Sequence, residues 1–177
     1  MKFSGKTIWA VIFLSAFIII ASLAASNGIA QSLPAGARAD KILIEKSSHK
    51  LFLMDGKTVL KTYSVALGRG GSGPKVKEGD NKVPEGHYRI AGRKLDSHFH
   101  YALKISYPEL KDIAAAKKLG VKPGGDIMIH GLRNGTGWLG SLHRLLDWTA
   151  GCIAVTDDEI DEIARVVPDG TPVEIKP

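Results

Sequence analysis

Apolar and polar positions alternate through much of the chain's second quarter. KILIEK places Ile42 and Ile44 on one side, and HKLFLM does the same with Leu51 and Leu53. Asp55-Gly56 then supplies a tight turn before TVLKTYSVAL. A period of two with a turn dipeptide between runs predicts three strands, the last two joined as a hairpin. GRGGSGPKVKEGDNK interrupts the pattern and predicts a Gly/Lys-rich loop, too polar to pack. VPEGHYRIAG predicts a turn into a strand with Tyr88 and Ile90 in phase, and HFHYALKIS a further strand. PELKDIAAAKKLG predicts a short helix, with Pro108 at its start and Gly120 at its end.

GGDIMIHG predicts a buried strand that stops at His130, and LRNGTGWLGSLHRLLDW a loop with a helical turn around Leu142 to Leu146. TDDE after the run IAV is a capping box, with Thr156 as cap and Glu159 at the third helical position. Ile160, Ile163 and Val167 form that helix's apolar stripe, Pro168 ends it, and TPVEI closes the chain as a strand. Strands dominate and the helices are two or three and short, which predicts a β-rich α+β domain. No internal repeat is visible.

The N-terminus follows another pattern. MKFSGK carries two lysines, and Ile8 to Ala25 then runs without a charge. This is the layout of an export signal, and the small residues Gly28 and Ala30 suit cleavage after Ala30. The apolar run is also long enough to span a bilayer, so the alternative is a retained inner-membrane anchor through residues 8–25. Residues 1–30 are thus expected as signal peptide or anchor, 31–39 as a polar linker and 40–177 as the folded domain. Either form of leader delivers the domain to the periplasm or cell envelope. About 145 residues suffice for one domain with its own core.

The chain has 24 Lys and Arg against 18 Asp and Glu, a net charge of +6 that falls to about +4 without the leader lysines. The lysines are scattered, with no basic stripe interleaved with aromatics, which argues against nucleic acid as partner. A mildly basic exported domain suits an anionic surface such as membrane or cell wall.

Cys152 is the only cysteine, so no disulfide forms within the chain. A free thiol in an oxidising compartment is either buried and inert or used. Used as a nucleophile, it needs a base in reach and donors aimed at the oxygen that becomes negative. Among six histidines, His49 and His87 read as surface residues and His143 as undecided. His130 ends an apolar strand and is followed by Gly131, where a sheet hands a side chain to a cleft. Gly151 allows close backbone approach, so the amides of Gly151 and Cys152 are the expected oxyanion donors.

His130-Gly131 followed by Thr149-Ala150-Gly151-Cys152-Ile153 closely resembles the motif of the L,D-transpeptidase (YkuD-like) catalytic domain of bacterial cell-wall enzymes. The resemblance extends upstream to KILIEKSSHKLFLMDGKTVLKTYSVALG and VPEGHYRI and covers about Asp40 to Ile175. It implies a mixed-sheet or β-sandwich fold, Cys152 as nucleophile, His130 as base and the Gly131 carbonyl as the group orienting the histidine. It implies acyl transfer on peptidoglycan stem peptides through a thioester, with no cofactor and no metal. Two positions depart from the family pattern. Ala150 stands where a second histidine is frequent, and Ala154 where Arg or Asn is usual.

The DWTAGCIAVTDDEI form and its enlarged insertion are similar to a branch that includes a murein L,D-endopeptidase-like hydrolase releasing wall-linked lipoprotein. Transferase and hydrolase share the acyl-enzyme and differ in the acceptor. Arg133 and Arg144, in the loop between the two catalytic residues, are candidates for the peptide's carboxylates, and Thr149 for shaping its approach. Of Trp138 and Trp148, one is expected to line the cleft and one to plug the core. Three competing readings remain: a non-catalytic wall-binding module, a metal hydrolase using His98, His100 and His130, and a sortase-like transpeptidase. The last expects an arginine soon after the cysteine strand, where TDDEIDE offers none.

Overall fold

A computed structural model describes residues 32–177; the expected leader (1–30), with its anchor segment 8–25, lies outside them. The first two strands are β1 (Lys41–Glu45) and β2 (Lys50–Asp55), with Ile42, Ile44, Leu51 and Leu53 fully buried as their alternation requires. β3 (Thr58–Ser64), β4 (Gly86–Lys94) and β5 (Ala102–Ile105) follow, then α1 (Leu110–Lys118) and β6 (Met128–His130). β7 (Ile153–Ala154), α2 (Asp157–Val166) and β8 (Pro172–Lys176) complete the chain.

These strands form one mixed sheet in the order β3-β2-β1-β8-β4-β5-β6-β7. The last strand inserts at the middle, parallel to β1 and antiparallel to β4. Register aligns apolar rows across it: Leu53, Ile42, Val173 and Tyr88 stand side by side, as do Leu103, Ile129 and Ile153. Beyond β3 the chain returns to the far edge, where Ala66 and Ala154 exchange both backbone hydrogen bonds at 2.9 Å. The sheet thereby closes on itself around the core, and the unpaired edges that a flat sheet would expose are tied together.

α2 covers one side of that core with Ile160, Ile163 and Val166. Its capping box forms as its sequence demands: the Thr156 amide donates to Glu159 (2.9 Å) and the Glu159 amide to Thr156 Oγ1 (3.4 Å). α1 starts later than expected, with Glu109 rather than Pro108 at the cap and its amide donating to Asp112 Oδ2 (2.9 Å). Residues 33–39 dock against α2 rather than running free as a linker. Leu33 is buried, its amide bonds Glu162 Oε1 (2.7 Å), and the Ala39 amide bonds the Val166 carbonyl.

The two loops around the His130 and Cys152 segments are more ordered than their composition suggests. Gly137–Leu145 forms two short 3-10 pieces broken at Gly140, whose φ of 47° permits the kink. The expected polar loop after β3 is cross-bonded by Asp80, which accepts from the amides of Val76, Lys77 and Lys82.

Candidate active site

His130 ends β6, which pairs directly with β7 at the edge of the sheet. Register pairs it with Ala102 on one side and Ala154 on the other, both fully buried. Two small neighbours leave the imidazole room and give Ala154 a place: it flanks the histidine directly. Cys152 stands two residues before Ala154, so it shares the histidine's face as a diagonal neighbour on the adjacent strand line. The fold thus brings the motif's two halves together.

The Nδ1 of His130 lies 2.7 Å from the Gly131 carbonyl, and a carbonyl only accepts. Nδ1 therefore carries the proton and Nε2 keeps its lone pair, the tautomer a general base needs. Phe99 stacks on the ring at 4.0 Å, and Trp148 meets it edge-on at 5.7 Å. At 1% exposure, the imidazole's pKa is pushed down to about 4, chiefly by burial and slightly by His143, with the Gly131 bond opposing. Burial likewise pushes the Cys152 thiol up; the Asp126 carboxylate adds to this, while the Met128 backbone and the Lys75 ammonium oppose it. The resting pair is neutral thiol and neutral imidazole, and the thiol points to the Asp126 carbonyl at 3.5 Å.

Gly131 and Gly151 are glycines for steric reasons. A Cβ at Gly131 would lie 2.7 Å from Asp157 Oδ1 and 3.0 Å from Ile160 Cγ2. At Gly151, φ is 121° and a Cβ would lie 2.7 Å from the Lys82 carbonyl. The Gly151 amide, expected to face the oxyanion, instead donates inward to Thr149 Oγ1 (3.2 Å). That hydroxyl in turn donates to the Cys152 carbonyl (2.7 Å), so Thr149, itself buried, clamps the Cys152 turn from within.

The remaining expected site residues divide. Trp148 packs on His130, and its indole N–H donates to His143 Nδ1 (3.3 Å). Trp138 is 80% exposed on the 3-10 segment. Arg133 is exposed, its backbone bridged to Phe99. Arg144 is engaged: it pairs with Glu159 at the start of α2, which ties the 3-10 segment to that helix. A carboxylate-binding role for Arg144 would require breaking this pair.

His98 and His100 do not converge on His130. His100 pairs with Asp161 (2.9 Å), which raises its pKa, and Phe99 between them is the residue that reaches the site. Among the described residues no group of three or more His, Cys, Asp or Glu side chains could hold a metal. Phe99 lies ahead of β5 at an isolated bridge to Arg133, and two polar histidines flank it, so its place in the site is not written in the local sequence. Asp157, in the first turn of α2, reaches back to this site: its Oδ1 accepts from the Leu132 amide (2.7 Å) and steadies the turn after His130.

Comparison with known proteins agrees with this geometry. The L,D-transpeptidase catalytic domain (YkuD) family model matches residues 39–175. The provisionally named L,D-transpeptidase YafK of Escherichia coli K12 is 33% identical over 112 residues, covering 62% of this chain and 37% of its own length. The chain therefore spans little more than a third of that relative. The crystal structure of the helical cell shape determining protein Pgp2 of Campylobacter jejuni superposes with a TM-score of 0.59 at 26% identity, over 79% of this chain and 48% of that one. Bd1075 of Bdellovibrio bacteriovorus gives 0.55 at 25%, over 81% and 50%. An L,D-transpeptidase structure from Xylanimonas cellulosilytica, at 13% identity and a TM-score of 0.54, shares the fold. By its matched span, its closed mixed sheet and its His-Gly and Thr-x-Gly-Cys elements, the chain belongs to the L,D-transpeptidase catalytic domain (YkuD) family.

Proposed function

We propose that the protein is a cysteine-dependent acyltransferase acting on peptidoglycan stem peptides in the periplasm, with Cys152 as nucleophile and His130 as base. The observation that carries this reading is the His130 Nδ1 bond to the Gly131 carbonyl, which leaves the Nε2 lone pair on the sheet face that Cys152 shares.

With the thiol's pKa raised and the imidazole's depressed, little thiolate forms at rest. Proton transfer from Sγ to Nε2 therefore accompanies attack on the substrate carbonyl instead of preceding it. The C–S bond forms and the carbonyl electrons move to oxygen, for which the Cys152 amide is the donor we assign, since Gly151 donates inward. Collapse expels the leaving amine, which takes the proton from His130, and a thioester remains. An acceptor amine then attacks, gives its proton to Nε2, and releases the peptide as the thiol recovers its hydrogen. Water as acceptor makes the same site a hydrolase, an L,D-endopeptidase that releases wall-linked lipoprotein. In this reading the exposed Arg133 meets a substrate carboxylate, and the exposed Trp138 gives an apolar wall for its approach. An N-terminal segment that exports the domain, or anchors it in the inner membrane, would put it beside this substrate.

Purified protein incubated with wall fragments and analysed by mass spectrometry tests the proposal. Loss of terminal D-Ala with new cross-links marks transfer, and release of a stem or lipoprotein peptide marks hydrolysis. Cys152→Ala should abolish either. Stem cleavage that survives that substitution would sink the catalytic reading, and wall binding without turnover in the wild type would favour a non-catalytic module.

A further inference from the structure

His143 is a buried titratable side chain that the proposed mechanism does not use. It sits on the 3-10 segment at 8% exposure, and its Nδ1 lies 3.3 Å from the indole nitrogen of Trp148. An indole N–H only donates, so Nδ1 is the acceptor and the neutral ring carries its proton on Nε2, the opposite tautomer to His130. Nε2 is buried and makes no hydrogen bond, so among the described residues the indole is what fixes this ring through a polar contact. Burial pushes the His143 pKa down and the Arg144 guanidinium adds to this, with Glu159 and Asp157 of α2 opposing. The accepting form therefore holds in neutral solution.

Trp148 is anchored separately at its backbone and at its ring. Its neighbours are pinned to the run after β3. Asp147 Oδ1 accepts from the Leu67 amide (2.7 Å), the Thr149 amide donates to the Leu67 carbonyl (3.1 Å), and the Arg69 amide donates to the Thr149 carbonyl (3.0 Å). Those bonds fix where the residue stands and leave its side-chain torsions open. The indole itself reaches the site, meeting His130 edge-on at 5.7 Å and 67° and Phe99 at 6.0 Å, while Phe99 stacks on His130 at 4.0 Å. The Gly131 carbonyl holds one corner of the His130 imidazole, and a bond at one corner leaves a ring free to tilt. The two aromatic neighbours set its plane, and the bond from Trp148 to His143 sets the indole's torsions.

We propose that His143 is a positioning residue for His130 that acts through Trp148: its Nδ1 holds the indole N–H, the indole holds the plane of the His130 imidazole, and that plane aims Nε2 toward Cys152. The charged and titratable groups facing His143 are Arg144 on its own segment, Asp157 and Glu159 on α2, and His130 on β6. Tilting the base away from the thiol lowers turnover without changing substrate affinity, since the step affected is proton transfer. The inference rests on His130 as base.

The test is proton and nitrogen NMR of the histidine rings and the Trp148 indole in the full chain, with thermal melting as the fold control. In the wild type at neutral pH, His143 should show an unprotonated Nδ1 and a protonated Nε2; the reverse tautomer would overturn the proposal without any variant. His143→Leu, which has no acceptor, should shift the His130 ring signals and lower kcat on wall fragments about tenfold at unchanged KM. His143→Gln, whose side-chain oxygen accepts an indole N–H, should restore both. With Trp148→Phe already in place, His143→Leu should add nothing further. Unmoved His130 signals in His143→Leu, equal effects of the Leu and Gln variants, or a further shift in the Trp148→Phe background would each overturn it. His143→Phe gives the same comparison if the leucine variant does not melt cooperatively. The NMR signals need no wall substrate, so a wild type that turns over no wall fragment sinks the proposed function while leaving this measurement readable.

Discussion

Because His130 is almost wholly enclosed by Phe99, Trp148 and the flanking alanines, its folded pKa is about 4 against an ordinary value of 6.5. The unfolded chain therefore binds more protons between these values. Stability contributed by the neutral imidazole is complete above pH 6.5 and is lost as pH falls through the folded value. The loss across that window amounts to about 3 kcal/mol. Urea unfolding of the wild type against His130→Gln should show this extra slope only in the wild type; parallel curves would refute it. Activity should persist into mild acid for the same reason and fall only as pH approaches 4. Cys152 and His130 were legible as candidates from glycine-flanked strand ends, since local sequence marks where a sheet opens. Trp148 was expected at the cleft or the core, while Phe99 carried no local sign, because its stacking on His130 arises from a contact across the chain.

At the scale of elements, the first turn of α2 gathers both segments that frame the site. Asp157 accepts from the buried Leu132 amide, and Glu159 pairs with Arg144 of the 3-10 segment. The two contacts differ in kind. Removing Asp157 leaves an amide with no partner in a dry place, at a cost of about 1–3 kcal/mol. Removing Arg144 breaks a pair whose side chains keep roughly a fifth of their exposure, worth about 1 kcal/mol or less. Asp157→Ala should thus lower the urea midpoint more than Arg144→Met, and the reverse order would show that the ion pair dominates. Arg144→Met should still make the Gly137–Leu145 segment more sensitive to protease, because the pair ties that segment to the helix. The capping box was readable because its parts are adjacent in TDDE. The order in the Asp80 loop was not, since composition reports polarity and this loop folds by bonds from backbone amides to one carboxylate.

For the molecule as a whole, the decisive feature is that β8, the last of the described strands in sequence, occupies the middle of the sheet. Alternation along the chain identified TPVEI as a strand but carried no sign of its neighbours, because strand order depends on pairings distant in sequence. β8 joins β1 to β4, and its Val173 and Ile175 align with Ile42, Ile44 and Tyr88 in the core. Without β8 the β3-β2-β1 half loses its pairing to the half that carries His130, and two long edges open to solvent. The two buried side chains alone are worth about 3–6 kcal/mol, which is comparable to the whole stability of an ordinary domain, about 5–15 kcal/mol. The lost ladder bonds add to this. Ending the chain at Val167 should therefore abolish cooperative thermal unfolding and expose Cys152 to rapid alkylation at neutral pH. Ile175→Ala should retain a cooperative transition and lose about 2–5 kcal/mol. A truncated chain that melts cooperatively with a protected thiol would mean that the two halves hold together through α2 and the Ala66–Ala154 bridge alone.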